Sequence, residues 1–231
     1  MQLNIIFPVH NEEDSIESVL KEWKQELDKQ NLTYSFIICE DGSTDGTKEL
    51  LVQLKKKYPL KLDLKQKRRG YGAAVIDGIK ISNSDYILCV DSDGQCDPKD
   101  FSLFWNDKEK AHAIIGWRKK RADSLQRKIF SILFKNVFMT LFPTTIHDPS
   151  APFVLFKKQT IVPHILYLTY LKEGFWWGFV GMFIKKKLSL QEIPINHRLR
   201  NNGTTQVYKA KNILGISTRN LLGLFKLKLA K

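Results

Sequence analysis

Two aspartates one residue apart, Asp91 and Asp93, follow directly on the apolar run Tyr86-Ile87-Leu88-Cys89-Val90. A buried strand that empties into paired carboxylates offers the hard oxygen donors that Mg²⁺ or Mn²⁺ prefers, and a cation held this way also grips diphosphate oxygens. As a Lewis acid it would neutralise charge building on a departing diphosphate. The same residues could instead form an Asp-rich turn with no ligand.

Three further clusters carry polar groups of the same kind. In Pro8-Val9-His10-Asn11-Glu12-Glu13 the amide of Asn11 and the carboxylate of Glu12 can read a base or a ribose, while Asn11 or Asp14 could simply cap a helix. Glu40-Asp41-Gly42-Ser43-Thr44-Asp45-Gly46-Thr47 places Asp41 to accept from a base ring nitrogen or a ribose hydroxyl, with Thr44 or Asp45 as the capping alternative. Lys67-Arg68-Arg69-Gly70-Tyr71-Gly72 couples cations to glycines before a helix, so that backbone near Gly70 can approach a nucleotide closely. No Walker or dinucleotide pattern is completed there.

Such clusters act together only if the elements before them end side by side. Short apolar runs at Leu3-Phe7, Ser35-Cys39, Lys61-Leu64, Tyr86-Val90 and Ala113-Gly116 read as strands. Between them, Asp14-Gln30 places Ile16, Val19, Leu20, Trp23 and Leu27 at helical spacing, and Thr44-Tyr58 and Ala73-Ile81 also read as helices. Strands alternating with helices predict an α/β, doubly wound, mainly parallel sheet. Ligands of such sheets bind at the carboxyl ends of the strands, which is where the polar clusters fall.

Beyond about Gln126 the chain turns to aromatic-rich apolar segments with basic interruptions. Arg127-Lys128 leads into Ile129-Phe142, apolar on most faces, which suits either an interfacial helix or a core or dimer helix. The paired Trp176 and Trp177 either stack a sugar or fill the core. Residues 212–231 form a basic amphipathic tail in which Leu221, Leu222, Leu224, Phe225, Leu227 and Leu229 alternate with Arg219, Lys226 and Lys228, and residues 1–211 are read as one domain.

Composition narrows the classes. Lys and Arg total 37 against 24 Asp and Glu, a formal charge of +13, which favours an anionic partner. Nucleic acid is disfavoured, because no recognised motif and no basic strand interleaved with aromatics is present. Cys39, Cys89 and Cys96 have no metal-binding spacing and read as reduced structural thiols. The start of the chain lacks a signal-peptide pattern, and no stretch reaches the roughly 20 apolar residues that span a bilayer. A cytoplasmic protein, peripheral on the cytoplasmic face of a membrane, is the expectation.

In this order the motifs resemble the family 2 glycosyltransferases, most closely the branch of dolichyl-phosphate mannose synthases and polyprenyl-phosphate glucosyltransferases, over residues 2 to 206. The resemblance implies a GT-A (Rossmann-like) fold with amphipathic C-terminal helices. By likeness, Pro8, Asn11, Glu12, Asp41, Gly70, Asp91 and Ser92 would contact the nucleotide sugar. Asp91, Asp93 and Gln95 would hold Mg²⁺ or Mn²⁺, with Asp93 the direct ligand of a DXD motif. Gly116-Trp117-Arg118 is similar to a segment whose Arg faces phosphate, and Arg127 stands near a second such Arg.

Asp148-Pro149-Ser150-Ala151-Pro152-Phe153 matches an acceptor segment, with Val154 where Arg is common. His197-Arg198-Leu199-Arg200-Asn201-Asn202-Gly203-Thr204-Thr205 resembles a His-x-x-Arg-x-x-Gly-x-Ser/Thr motif, in which His197, Arg200 and Thr205 would meet diphosphate or acceptor phosphate. His10, Glu40 and Gln206 replace the family's usual Tyr, Asp and Lys.

The activity implied is inverting transfer of a sugar from GDP-mannose or a UDP-hexose to a polyprenyl phosphate, with Asp93, Arg118 and Arg200 as the catalytic residues. A phosphate acceptor needs no base, whereas a hydroxyl acceptor would turn to Asp148. The implied partners are the nucleotide-sugar donor, the lipid-linked acceptor, a membrane surface and a membrane-anchoring subunit. A glycan or lipopolysaccharide acceptor on the same fold, or an inactive scaffold, are the alternatives.

Overall fold

The computed structural model describes residues 1–119, 125–199 and 213–230, with 125–131 and 213–214 described by backbone alone. In chain order the elements are β1 (Leu3–Val9), α1 (Ile16–Leu27), β2 (Tyr34–Glu40), α2 (Thr47–Leu54), β3 (Leu60–Leu64), α3 (Tyr71–Ile81), β4 (Tyr86–Cys89), α4 (Phe101–Asp107) and β5 (Ala113–Arg118). They are followed by α5 (Leu125–Leu141), β6 (Val154–Lys157), α6 (Lys158–Ile161), a 3₁₀ stretch (Val162–Tyr170), α7 (Phe175–Lys185), β7 (Leu190–Ile195) and α8 (Ile213–Leu229).

The strands form a seven-stranded sheet in the order β3-β2-β1-β4-β6-β5-β7. All neighbours pair in parallel except β6, which runs antiparallel to both β4 and β5. Because β6 is reversed, the chain enters it at the edge where β4 and β5 end, so residues 147–153 arrive beside the loops that leave those strands. Pro194 is tolerated because β7 lies at the sheet's edge, where a missing N–H breaks no central ladder.

Each face of the sheet has its own apolar core, as the alternation of side chains along a strand requires. Leu3, Ile5 and Phe7 of β1 pack with Trp23 of α1, Leu51 of α2 and Phe101 of α4. Ile6 packs on the opposite face with Val75 of α3, Phe138 of α5, Phe179 of α7 and Leu227 of α8. All five positions expected to form the apolar stripe of α1 are buried. Trp23 lies edge-on to Phe7 at 6.2 Å and to Phe101 at 6.4 Å, geometries that suit the ring quadrupole.

The start of α2 differs from the sequence expectation for a local reason. Helix α2 begins at Thr47 rather than Thr44, because Thr44 and Gly46 give their amides to Asn11 and Glu13 across the crevice. The apolar stretch from Gln159 to Ile184 divides into α6, the 3₁₀ turns and α7, with Pro163 at the start of the 3₁₀ segment, where its missing N–H is not needed. The C-terminal helix α8 is seated on the domain, with Leu224 and Leu227 fully buried. No described helix is long and apolar enough to cross a membrane.

Candidate active site

The loops after β1, β2, β4 and β5 converge with the segment before β6. Asn11, in the left-handed region at φ 55°, receives Thr44 N on its Oδ1 at 2.9 Å and gives its own amide to Ser43 Oγ at 2.9 Å. Glu12 N donates to Thr47 Oγ1 at 3.0 Å, and the Glu12 carboxylate receives Ser15 Oγ at 2.5 Å. Neither Asn11 nor Asp14 caps α1, whose N-cap is Ser15, whereas Asp45 receives Thr47 N at 3.1 Å at the start of α2.

Asp41 is 3% exposed and receives the backbone amides of Arg69 and Gly70, each at 2.7 Å, one on each oxygen. It thereby holds the basic loop against the end of β2. The fit is close: a Cβ on Gly42, which has φ +72°, would lie 2.5 Å from Arg68 N. Gly70, with φ +102°, gives the chain the bend that starts α3. His10 nearby has its pKa lowered, first by burial and then by the charge of Arg68.

After β4, Ser92 Oγ donates to Pro8 O at 2.9 Å and ties the acidic loop to β1. Asp93 Oδ1 receives Gln95 N at 3.1 Å across a turn made at Gly94, φ 76°. The side chain of Gln95 points to Arg198 O at 3.2 Å. Asp91 receives the Tyr71 hydroxyl at 2.9 Å, and that hydroxyl receives the Trp176 indole N–H at 2.9 Å. Burial first, and the adjacent charge of Asp93 second, push the Asp91 carboxyl well above its ordinary range, against the opposing pull of the Tyr71 bond and Arg118.

Arg118 and Asp148 form a buried pair, with side chains 9% and 6% exposed. Nε meets Oδ2 at 2.7 Å and one terminal nitrogen meets Oδ1 at 3.0 Å and Ser150 Oγ at 2.9 Å, a bidentate geometry. Burial opposes the charge on Arg118, but the Asp148 partnership prevails and raises its pKa. The segment that carries Asp148 is fixed from β7: Glu192 receives Asp148 N at 2.8 Å, His147 N at 3.0 Å and His147 Nδ1 at 2.7 Å. His197 pairs with Cys96 in an isolated antiparallel bridge, which brings the end of β7 to the acidic loop.

The expected residues Pro8, Asn11, Glu12, Asp41, Gly70, Asp91, Ser92, Asp93, Gln95, Arg118, Asp148 and His197 therefore lie on segments at the carboxyl ends of the parallel strands that are joined by the contacts above. Arg200 and Thr205, and the guanidinium of Arg127, lie outside the described residues. Trp176 and Trp177 are 6% and 9% exposed and belong to the core. Tyr71 and Ser150 lie within the quoted basic-glycine and Asp148 segments but drew no role there, and Glu192 lies in no motif. A groove of about 700 Å³ beside Tyr86, Glu109 and Lys157 lies at the opposite end of the strands, where β4 begins and β6 ends, away from these loops.

Among the described residues no three His, Cys, Asp or Glu side chains gather as a metal cage. A cage is not what a Mg²⁺ or Mn²⁺ bound through substrate phosphates requires, since one or two carboxylates suffice. Burial first, and the charge of Asp93 second, disfavour the ionised form of Asp91, and a cation beside the two carboxylates would offset both. The residues present therefore fit a divalent ion.

Residues 4–162 match the family described as Glycosyl transferase family 2. The chain belongs to that family. This family 2 chain is 29% identical to the dolichyl-phosphate beta-glucosyltransferase of Dictyostelium discoideum, over 98% of its own length and 77% of that protein's. It is 32% identical to the dolichol-phosphate mannosyltransferase of Pyrococcus furiosus over 92% of its own length, and spans 61% of that relative, less than two thirds. A solved structure of glucosyl-3-phosphoglycerate synthase from Mycobacterium tuberculosis, in complex with Mn²⁺, uridine-diphosphate and phosphoglyceric acid, superposes with a TM-score of 0.75 at 14% identity, covering 100% of this chain and 79% of that one. At that identity the likeness establishes the fold, a mostly parallel α/β sheet of GT-A type.

Proposed function

We propose that this family 2 chain transfers a hexose, with inversion, from a nucleoside-diphosphate sugar to a polyprenyl phosphate. The observation that carries the acceptor is the state of Asp148. It is the carboxylate to which we assign the base of a hydroxyl acceptor, and both its oxygens are engaged by Arg118 and Ser150. A phosphate is already anionic and attacks without one. The two relatives support the same class, since one is named for glucose and the other for mannose while both are named for dolichyl phosphate.

In this reading the acceptor phosphate oxygen bonds to the anomeric carbon as the bond to the nucleoside diphosphate breaks on the opposite face. Asp91 and Asp93 would hold Mg²⁺ or Mn²⁺, which when bound supplies positive charge for the departing diphosphate. Asn11, Glu12 and Asp41 border the nucleotide end of the crevice, where Asp41 holds the basic loop in place. Arg118, kept charged by Asp148, stands within electrostatic reach of Asp91, so cationic charge is already oriented when the leaving group develops its own.

We place the reaction at a membrane surface. Ile132 and Leu133 on α5, at 59% and 58% exposure, and Leu222, Phe225 and Leu229 on α8, at 57%, 48% and 80%, face outward among Arg219, Lys226 and Lys228. Exposed apolar groups flanked by cations, on a chain of charge +13, suit an anionic headgroup region. Sedimentation with anionic vesicles at low salt, weakened by Leu222→Ser with Phe225→Ser, is the expected result. Equal sedimentation of the variant would sink this placement.

The activity is tested by incubating the protein with polyprenyl phosphate, Mg²⁺ or Mn²⁺ and a panel of labelled GDP- and UDP-sugars, then counting label extracted into organic solvent. One donor should give metal-dependent label, and Asp93→Ala should lower it by at least about 100-fold, more than is typical for loss of a residue that merely supports a ligand. Sugar transferred only to water-soluble acceptors would overturn the lipid-phosphate reading.

A further inference from the structure

The hydroxyl of Tyr71 stands between two groups that fix its proton. The Trp176 indole N–H can only donate, so at 2.9 Å it must place its hydrogen on the Tyr71 oxygen. The Tyr71 O–H is then left to point at Asp91 Oδ1, also at 2.9 Å, where a carboxylate can only accept when ionised. With Asp91 ionised, as a metal ligand must be, the chain Trp176 to Tyr71 to Asp91 has one direction, set by an atom on α7 that cannot reverse it.

Both supports are held rigidly. Tyr71 opens α3 directly after Gly70 and lies edge-on to Phe175 at 6.4 Å. Trp176 is 6% exposed and lies edge-on to Phe175 at 5.0 Å and to Phe179 at 5.4 Å. Gly72, one residue on, could not carry even a methyl group without a 3.0 Å contact to Lys172 O and to Phe175, so α3 and the start of α7 are in close contact.

We propose that Tyr71, oriented by Trp176, is a positioning residue for the acidic pair: it pins Oδ1 of Asp91 and so leaves Asp93, with the other oxygen of Asp91, to meet the divalent ion. The assignment rests on the metal reading given above. It makes the two aspartates unequal, with Asp91 anchored on one oxygen to a side chain of α3 and Asp93 held, among the described residues, by the backbone amide of Gln95. It also gives the buried Trp176 a role that neither sugar stacking nor simple packing provides.

The test is direct Mn²⁺ binding, followed by electron paramagnetic resonance in the presence of GDP or UDP and with no sugar acceptor, on wild type, Tyr71→Phe, Trp176→Phe and the double variant. Both changes keep an aromatic ring, and thermal melting of each variant establishes that it is folded. Tyr71→Phe should weaken Mn²⁺ about 10-fold, the scale typical of groups that orient metal ligands. Trp176→Phe should weaken it less, and the double variant should match Tyr71→Phe alone, because Trp176 acts only through the hydroxyl.

Unchanged Mn²⁺ affinity in folded Tyr71→Phe, or additive losses in the double variant, would overturn the assignment while leaving the metal reading intact. A wild-type protein that binds no Mn²⁺ with either nucleotide would overturn both.

Discussion

On the β1 and β2 side of the crevice the site residues hang from loops that leave parallel neighbours, and the loops hold one another by many small bonds. Asn11 to Ser43, Asn11 to Thr44, Glu12 to Thr47 and Glu13 to Gly46 all cross between the same two segments. On the β5 and β6 side a buried ion pair, Arg118 with Asp148, does the corresponding work, backed by Glu192 from β7. The first arrangement is redundant and close to solvent. The second concentrates charge where water is scarce, so removing Asp148 takes from Arg118 the carboxylate that both its donors meet.

The sharpest way to break this contrast is Asp148→Ala. It leaves the Arg118 guanidinium 9% exposed and without its carboxylate, and loss of one partner of a buried pair typically costs about 3–5 kcal/mol. Denaturant unfolding should show a loss of that size, and transfer should fall even in protein that remains folded, since Arg118 no longer has a fixed direction. Asp148→Asn keeps the shape and some of the bonding, so its stability loss should be smaller. If Asp148→Ala unfolds at the same denaturant concentration as wild type, the two sides are alike and the contrast fails.

The same contrast decides what could be read from the sequence. The strands β1, β2 and β4 and the polar clusters that follow them were legible because strand and cluster are contiguous: Tyr86-Ile87-Leu88-Cys89 leads straight into Asp91 and Asp93. The antiparallel insertion of β6 between β4 and β5 was not, because four residues, Val154–Lys157, carry no direction and pair with strands far away in the chain. Asp148 was placed near the acceptor by family likeness, but its bond to Arg118 depends on that reversed strand. Glu192 was illegible for the same reason, and Trp176 because a buried indole whose N–H matters looks in sequence like any core tryptophan. The C-terminal helix was read as an amphipathic tail; its alternation of leucine and lysine does not say which leucines meet α7, and Leu224 and Leu227 turn out to be the buried ones.

The smallest expected effect sharpens the redundant side. Asn11 has φ 55°, so replacing it with glycine removes the side-chain bonds to Thr44 while relieving the backbone of a conformation that glycine adopts freely. With Ser43, Thr47 and Gly46 still bridging the loops, Asn11→Gly should change stability by less than about 1 kcal/mol, whereas Asn11→Ala loses the same bonds and keeps the left-handed strain of about 1–2 kcal/mol. Parallel denaturant curves should therefore rank glycine at or near wild type and alanine below it. Equal losses in the two variants would mean that the Asn11 side chain, not the network, holds the loops together.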